Sequence, residues 1–402
     1  MTPNPSGKPV LVGRPKPVDR TTDCPHVELL VRQLLSQVRM AVIYGGDKGV
    51  DGAVIRKSHN QRSWKSYESV ARDIAASLGR IGCQNVVVLP DDMRLASRLE
   101  AERVHMAWLN TGGVQGHSAI SHAPSLLEML GIPYIGHDPL TAASLDNKFF
   151  FKRQLMAIGI PTAPFVVWHP STSPADPTRD RKFAQAFRGW DGGFIVKPIT
   201  GRASLHVHYV ENASGLAERA SEVFATTQNH VLIEAFLSGR EYCIAVAGPI
   251  VAGDSHLRRL ARPFAFAGVE RVLSEGEHVF TSMDLKPITQ DRVRALDPVE
   301  DALTLDTLED IAATLFTEFP LKTLVRLDVR ADHSGRLFVL EANPKPDLKA
   351  PEGKGTSLIC AGLKRYGMSY DDLVMSIFAN RVAEILDDED GITAALDRLI
   401  DR

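Results

Sequence analysis

The sequence predicts an α/β protein in which a layer of parallel strands at the amino end is followed by short antiparallel strands. Between residues 39 and 140, strand-like apolar runs alternate with segments of helical spacing, which is typical of a parallel sheet covered by helices. From Gly193 onward, short apolar runs separated by turn residues dominate, and this pattern favours antiparallel strands.

Length and composition bound the functions that the chain can have. With 402 residues it exceeds the size of a single hydrophobic core, so two or three domains are expected. The 46 basic and 49 acidic residues give a formal charge of −3, and no nucleic-acid or membrane partner is therefore expected. No stretch reaches the roughly eighteen uncharged apolar residues of a membrane span. The four cysteines are widely spaced, which favours a cytoplasmic protein without disulfides or a zinc cluster.

The parallel layer contains two strands that end in double-glycine turns. Strand 40–44 runs into Gly45-Gly46, and strand 104–109 runs into Gly112-Gly113. Pro90 is expected to end the strand between them. Ligands of parallel sheets bind at the carboxyl ends of the strands, so these turns mark the expected edge of a site. Neither turn spells G-x-G-x-x-G, which disfavours an oxidoreductase that uses a dinucleotide.

Two hairpins are predicted in the antiparallel part. The first joins strands 242–247 and 250–253 through Gly248-Pro249, and the second joins strands 323–330 and 336–341. Turn residues between apolar runs are the basis for both predictions.

The second hairpin carries a candidate metal site. Side chains alternate along a strand, so Arg326 and Asp328 share one face of its first strand. Folding brings Asp328 within about two positions of Glu341, which shares a face with Asn343. Two carboxylates and an amide oxygen suit magnesium together with nucleotide phosphates. The alternative is a solvated edge hairpin, on which alternating charges are common.

A lysine at the end of a strand precedes a candidate phosphate loop. Lys197 is followed by the loop Gly201-Arg202-Ala203-Ser204. Small residues there let backbone N–H groups approach a phosphate, while Lys197 offsets its charge. A solvated lysine before an ordinary turn is the alternative.

A short strand, 231–234, leads into a segment that can hold an adenine. Phe236 and Leu237 offer apolar surface, and Glu241 can accept hydrogen bonds from ribose hydroxyls. The alternative is a strand followed by a surface turn.

The order of these motifs resembles the ATP-grasp superfamily, and specifically its D-alanine–D-alanine ligase-like branch. Lys148 stands eleven residues before Gly159-Ile160-Pro161, and the lysine, adenine, arginine–aspartate and Glu341-Ala342-Asn343 motifs follow in the family's order. The resemblance covers roughly residues 104–385. It implies a Rossmann-like amino-terminal domain followed by a two-part ATP-grasp clamp of antiparallel sheets with helices.

The resemblance also implies a role for each matched residue. Arg326 would stabilise the oxyanion of a tetrahedral intermediate, and ATP with two magnesium ions, or manganese instead, would lie between the two sheets. The binding residues implied are Lys148 and Lys197 for phosphate, Gly201, Arg202, Ala203 and Ser204 for the phosphate loop, Glu234, Ala235 and Leu237 for adenine, Glu241 for ribose, and Asp328, Glu341 and Asn343 for metal.

Three departures from the family pattern concern the substrates. Gly-Ser-Ser is usual where Gly201 to Ser204 stand, and Thr-x-Pro-Gly-Met-Thr is usual where Pro344 to Lys349 stand. Lys65 aligns with the acidic residue that holds the first substrate's ammonium group, although a solvated lysine is the alternative there. The acceptor pocket is therefore expected to diverge. The family's further phosphate-binding cation stays open among Arg258, Arg259, Arg262 and Arg271.

The sequence thus predicts an ATP- and magnesium-dependent carboxylate–amine ligase that forms an amide or peptide through an acyl phosphate. Amino acids are the expected substrates, and D-alanine dimerisation is one candidate. An ATP-binding regulatory protein without ligase turnover and an ATP-dependent small-molecule kinase are the alternatives. The chirality of the substrates and the presence of a homodimer stay open.

Five segments are expected along the chain. They are an amino-terminal arm over 1–38, a Rossmann-like domain over 39–140, a small ATP-grasp subdomain over 141–230, a central and carboxy-terminal ATP-grasp subdomain over 231–390, and a tail over 391–402.

Overall fold

The computed structural model describes seven stretches of the chain. These are residues 21–46, 67–116, 118–201, 204–254, 256–279, 292–351 and 357–387. The first twenty residues of the predicted arm, Lys65, Arg202, Ala203 and the predicted tail lie outside the described residues. Within these stretches, no helix is both long enough and apolar enough to cross a lipid bilayer.

A parallel sheet with helices forms the first layer, as the sequence predicts. Its elements, after a short strand β1 (Thr22–Asp23), are α1 (Pro25–Gln37), β2 (Arg39–Gly45), α2 (Glu68–Arg80), β3 (Asn85–Asp91), α3 (Leu95–Ala101), β4 (Met106–Asn110), α4 (His122–Met129), β5 (Tyr134–Ile135) and α5 (Pro139–Asp146). The described strands pair in the order β3-β2-β4-β5, and all three pairings are parallel.

The second sheet is antiparallel and is called the small sheet. Its part of the chain contains α6 (Lys148–Ala157), β6 (Phe165–Trp168), α7 (Arg181–Ala186), β7 (Phe194–Pro198), β8 (His208–Val210), α8 (Leu216–Thr227) and β9 (Val231–Ala235). The strand order is β6-β9-β7-β8. Because β9 lies between β6 and β7, this sheet extends past the boundary predicted at residue 230.

The third sheet is called the central sheet. The elements of this part are β10 (Glu241–Ala247), β11 (Ile250–Gly253), β12 (His256–Arg259), β13 (Phe264–Arg271), β14 (Val293–Ala295), α9 (Ala302–Glu318), β15 (Val325–Ala331), β16 (Leu337–Asn343) and α10 (Tyr370–Asp387). The central sheet has the antiparallel order β14-β13-β10-β15-β16. With the parallel layer before it, this arrangement confirms the predicted α/β fold class. A further antiparallel sheet of the described residues has the order β1-β12-β11.

The second predicted hairpin is confirmed by β15 and β16. They pair antiparallel, with Asp328 directly opposite Glu341 and Arg326 opposite Asn343. A bulge follows Asp328, where the register shifts by one residue. The three predicted metal ligands and Arg326 are therefore neighbours on adjoining strands.

The first predicted hairpin is wrong, although both of its strands exist. β10 is flanked by β13 and β15, so both of its edges are filled, and β11 pairs with β12 in another sheet. Gly248-Pro249 therefore carries the chain from one sheet to another. Asn380 on α10 holds β11 there, because its Oδ1 accepts the Ile250 N–H at 2.9 Å and its Nδ2 donates to the Ile250 carbonyl at 2.6 Å.

The predicted strand end at Pro90 is also wrong. β3 continues to Asp91, and Pro90 pairs with Tyr44 of β2. β3 lies at the edge of its sheet, where a residue without an N–H group can leave the outer side unpaired. A proline is therefore tolerated inside this strand.

Helix α10 joins the first layer to the rest of the protein. Its buried residues Leu373, Phe378 and Val382 belong to one continuous core with Val31 of α1 and Ile74 of α2. Each of these side chains is almost completely excluded from solvent. The hydrophobic effect therefore holds the parallel layer and the carboxy-terminal part together as one packed unit.

Candidate active site

A cleft between the small and central sheets brings together many of the predicted site residues. It encloses about 660 Å³ of empty space, including open solvent at its mouth. The predicted residues that line it are Lys148, Lys197, Gly201, Ser204, Glu234, Glu241, Asp328 and Glu341. Those that lie in the strands and turns beside this lining are Ala235, Leu237, Arg326 and Asn343.

Lys148 enters the cleft from the first turn of α6. Asn147 starts this helix, and its Oδ1 accepts the Phe149 N–H at 3.1 Å. The Lys148 Nζ lies 3.2 Å from Glu341 Oε2 and donates to the Gly201 carbonyl at 3.1 Å. The lysine thus connects the end of β16 with the candidate phosphate loop.

Glu341 reaches the cleft from β16, and 36% of its side chain is exposed. Its enclosure acts to raise the pKa of the carboxyl, but the charges of Lys148 and Lys197 lower this pKa to about 2. Glu341 is therefore ionised at neutral pH and available as an oxygen ligand.

Glu234 lies at the back of the cleft between two lysines. Its Oε1 is 2.5 Å from Lys197 Nζ and its Oε2 is 2.9 Å from Lys152 Nζ, and all three side chains are at least 94% buried. Burial acts to raise the pKa of Glu234, but the two lysine charges lower it by more. Burial also acts to lower the pKa of Lys197, but Glu234 and Glu341 raise it above its ordinary value.

Lys152 is a site residue that sequence reasoning missed. It follows Lys148 by one helical turn, so both lysines point from the same face of α6. Its Nζ also contacts Thr162 Oγ1 at 2.6 Å, and Thr162 in turn donates to the Val339 carbonyl at 2.7 Å. Burial lowers the pKa of Lys152, although Glu234 opposes this effect. The i, i+4 spacing of the two lysines was the available signal.

Asp328 is held by two arginines at the end of the cleft near the predicted metal ligands. Arg326 donates from Nε to Asp328 Oδ1 at 2.8 Å and from Nη2 to Oδ2 at 3.0 Å. Arg271 donates from Nη2 to Oδ2 at 2.9 Å. The predicted oxyanion-stabilising arginine is therefore paired with the predicted metal ligand.

Of the four arginines left open by the sequence, Arg271 is the one that lines the cleft. It ends β13, lines the cleft and also donates from Nη1 to Glu241 Oε1 at 2.8 Å. Arg258 and Arg259 lie on β12, which pairs with β1 in a separate sheet. Arg262 forms an ion pair with Asp310 of α9 at 2.7 Å.

The donor set around Asp328 fits magnesium only in combination with phosphate oxygens. It offers two carboxylates, Asp328 and Glu341, and the amide of Asn343, whose Oδ1 accepts the Lys345 N–H at 3.1 Å. No group of three or more His, Cys, Asp or Glu side chains suited to a metal ion occurs within the described stretches. Magnesium commonly binds proteins through one or two carboxylates together with substrate phosphates, and these residues fit that mode.

Glu241 and the turn after β9 form the end of the cleft where the sequence predicts the nucleoside contacts. Glu241 faces both Arg271 and Arg330, whose Nη1 lies 3.4 Å from Glu241 Oε2. Phe236 packs against the Tyr209 ring and lies 4.7 Å from the Arg330 guanidinium. The Ala235 N–H donates to the Pro164 carbonyl at 2.9 Å.

The segment that departs from the family pattern is fastened to the first layer. Lys349 Nζ lies 2.7 Å from Asp73 Oδ2 on α2, which also accepts the Ala350 N–H at 3.1 Å. Lys345 is buried, and its Nζ lies 3.4 Å from the centre of the Tyr67 ring. This segment thus connects the end of β16 with the start of α2.

Asp91 is a buried carboxyl beside the double-glycine turns of the first layer. Thr111 Oγ1 donates to Asp91 Oδ2 at 2.7 Å, and the Gly113 N–H donates to Thr111 Oγ1 at 3.0 Å. The Gly46 N–H donates to the Asp91 carbonyl at 3.2 Å. Burial raises the pKa of the Asp91 carboxyl to about 6, although the hydrogen bond from Thr111 acts in the opposite direction.

We expect Asp91→Asn to gain about 2 to 3 kcal/mol of stability relative to the wild type between about pH 4 and pH 7. The native carboxyl holds its proton more tightly than the unfolded one, so wild-type stability falls as pH rises through this range. The amide does not titrate and lacks this loss. Urea unfolding of both proteins at about pH 4, 5.5 and 7 measures the difference, and a constant difference would contradict the raised pKa.

Comparisons with known proteins find relatives that match most of the chain. Residues 155–379, more than half of the chain, match the family model described as D-ala D-ala ligase C-terminus. The D-alanine–D-alanine ligase B of Pseudomonas putida is 26% identical over 345 residues, which cover 86% of this chain and 93% of that protein.

Solved structures show the same fold. D-alanyl-alanine synthetase A from Vibrio cholerae aligns with a TM-score of 0.61 at 19% identity and covers 87% of this chain and 99% of that one. D-alanine–D-alanine ligase from Bacillus anthracis, complexed with ATP, aligns with a TM-score of 0.59 at 15% identity over 87% of this chain and 99% of that one.

Proposed function

Because this chain belongs to the D-alanine–D-alanine ligase family, we propose that it joins a carboxylate to an amine through an acyl phosphate, using ATP and magnesium. Family membership makes it an ATP-dependent carbon–nitrogen ligase. The observation that carries the finer proposal is the cleft, where Lys148 and Lys197 face Glu341 and Asp328. Amino acids are the proposed substrates, because the relatives are named for D-alanine.

The two lysines of the cleft would bind the phosphates of ATP. Lys148 and Lys197 are each already close to a carboxylate, Glu341 and Glu234 respectively. Their ammonium groups are thereby held in place before a nucleotide arrives, which reduces the entropy lost on binding. Gly201, Arg202, Ala203 and Ser204 would supply the phosphate loop, whose Gly201 carbonyl contacts Lys148.

The nucleoside would lie toward the turn after β9. Glu241 would accept from the ribose hydroxyls, and the backbone of Ala235 and Leu237 would contact the base, with Glu234 behind them. The carboxylates of Glu234 and Glu241 also hold the cations of the cleft, so each would serve both the protein and the nucleotide.

Arg326 would act on the acyl centre. When bound, magnesium would withdraw charge from the transferring phosphoryl group, and Asp328, Glu341 and Asn343 are the residues that would hold it. The donor carboxylate oxygen attacks the γ-phosphorus of ATP as the bond to ADP breaks, and Lys148 and Lys197 offset the phosphate charge. The amine then attacks the acyl carbon, phosphate leaves, and the amine loses its proton to solvent. Arg326 would donate to the developing oxyanion, a contribution of about 3 kcal/mol.

The acceptor would bind beside the segment that departs from the family pattern. Pro344 to Lys349 follow directly after Asn343 and are tied to α2 through Asp73. The side chains available there differ from those of the family pattern, which supports a divergent acceptor pocket. D-alanine is one candidate for it. The five-segment domain division is likewise proposed, with the small sheet continuing to Ala235.

Product analysis tests the proposed function. The purified full-length chain, with ATP and Mg²⁺, is incubated with single D- and L-amino acids and with their pairs, and ADP, phosphate and the organic product are measured. We expect equal amounts of ADP, phosphate and an amide in at least one mixture, and none without the amine. A phosphorylated product without free phosphate would indicate a kinase instead. Nucleotide binding without any turnover would indicate a regulatory protein.

A further inference from the structure

Asp328 has no oxygen atom that is free of an arginine. Its Oδ1 accepts from Arg326, and its Oδ2 accepts from both Arg326 and Arg271 at 3.0 and 2.9 Å. Asp328 itself is 4% exposed and Arg271 is 9% exposed. Each carboxylate oxygen has two lone pairs, so both lone pairs of Oδ2 are occupied, and a divalent cation at Oδ2 would have to displace one guanidinium nitrogen.

Arg271 is the partner that can leave. Arg326 grips Asp328 with two nitrogens from the same strand, whereas Arg271 reaches it from β13 across β10 with a single nitrogen. The other terminal nitrogen of Arg271 is bonded to Glu241 at 2.8 Å. Arg271 can therefore give up Asp328 and remain anchored in the cleft through Glu241.

A nucleotide would offer Arg271 a replacement partner. Glu241 and Asp328 lie at the two ends of the guanidinium, and Lys148 and Lys197 line the same cleft. A guanidinium fork fits two phosphate oxygens as well as it fits carboxylates. A phosphate in this cleft would therefore draw Arg271 away from Asp328 Oδ2, which would keep its bond from Arg326 and gain a lone pair for a cation.

We propose that Arg271 and the divalent cation compete for Asp328, and that nucleotide phosphate ends the competition by taking Arg271 as its own partner. Metal and nucleotide then bind cooperatively, each raising the affinity for the other by the same factor. This inference rests on the proposed function only in its use of a nucleotide and a metal at this site. It adds that Arg271 is the positioning residue that couples the two.

The proposal makes opposite predictions for two binding measurements on the full-length protein. Arg271→Gln removes the competitor, so Mn²⁺ followed by electron paramagnetic resonance without nucleotide should bind about tenfold more tightly or better than to the wild type. The same variant lacks the phosphate partner, so ADP in the presence of EDTA should bind about tenfold more weakly. A residue with a merely structural role would weaken both ligands.

Two further variants serve as controls. Arg330→Gln removes another buried cation that contacts Glu241 but not Asp328, so its Mn²⁺ affinity should stay within about threefold of wild type. Arg271→Lys keeps the charge with fewer donors, and its Mn²⁺ affinity should lie between those of the wild type and Arg271→Gln. It also provides the measurement if Arg271→Gln fails to fold.

Unchanged or weaker Mn²⁺ binding by a folded Arg271→Gln or Arg271→Lys protein would overturn the proposal. An equal gain in Arg330→Gln would do the same, because it would reduce the effect to general charge. Only the proposed ligase function fails if the wild type binds ADP and the Arg271 and Arg330 variants behave as expected, but no amide forms. Absence of ADP binding by the wild type would overturn both.

Discussion

Glu341→Gln is expected to lower the kcat of amide formation by on the order of 10³-fold while leaving the protein folded. Glutamine has nearly the same shape but carries no charge. The change removes one of the two carboxylates of the candidate metal site and the partner of Lys148, which lies 3.2 Å away. Because 36% of the Glu341 side chain is exposed to the cleft, water can solvate the lysine that is left behind. The loss should therefore appear in turnover far more than in stability.

Steady-state kinetics with the amine and carboxylate found by product analysis measure this effect, and circular dichroism checks the fold. Glu218→Gln is the matched control, because Glu218 lies exposed on α8, outside the lining of the cleft. That variant should keep wild-type kcat and KM for ATP. Full activity of Glu341→Gln would show that Glu341 is not a metal ligand, but it would not contradict the proposed ligase reaction.

The candidate metal residues were predictable because they depend on local geometry. Asp328 and Glu341 lie on two strands joined by a short turn, so the length of the turn and the alternation of side chains bring them opposite each other. Lys197 ends a strand and Lys148 begins a helix, and both positions are visible in the sequence as changes of pattern. The hairpin alone brings Asp328 beside Glu341, whereas their meeting with Lys148 and Lys197 in one cleft was implied only by the order of the family motifs.

What the sequence predicted wrongly or left open depends on contacts between distant parts of the chain. Gly248-Pro249 has the composition of a hairpin turn, but the edges of β10 are filled by β13 and β15, which follow it in the sequence. Arg271 could not be chosen from four arginines, because only the order of strands in the central sheet brings it beside Asp328. Such pairings are set by the packing of the whole sheet and leave little trace in the local sequence.

Glu234 illustrates how one residue can be predicted with part of its role missing. Its position in the adenine motif is evident from the sequence, but its side chain lies between Lys152 and Lys197 in the structure. Lys152 comes from α6, which precedes all the strands of the small sheet in the sequence. Lys152, Glu234 and Lys197 thus form a row of alternating charges. The stability of the fold therefore depends on groups that the nucleotide would also contact.

Glu234→Leu is accordingly expected to lower the free energy of unfolding by about 3 to 5 kcal/mol. Leucine fills a similar volume, so the cost comes from leaving Lys152 and Lys197 buried without their shared carboxylate. Lys152 is the more affected, because its side chain is completely buried and its pKa is already lowered by burial. Urea unfolding followed by circular dichroism measures the loss.

The double variant Glu234→Leu with Lys152→Met separates lost charge pairing from lost packing. Methionine keeps the length of the lysine side chain without its charge, so the double variant should recover stability relative to Glu234→Leu alone. The recovery should be incomplete, because Lys197 still lacks Glu234 and is left with the charges of Glu341 and Glu241. If the stability lost by the double variant equals the sum of the losses in Glu234→Leu and Lys152→Met, the two side chains have no interaction energy. Glu234 would then stabilise the cleft through its shape and not through its charge pair with Lys152.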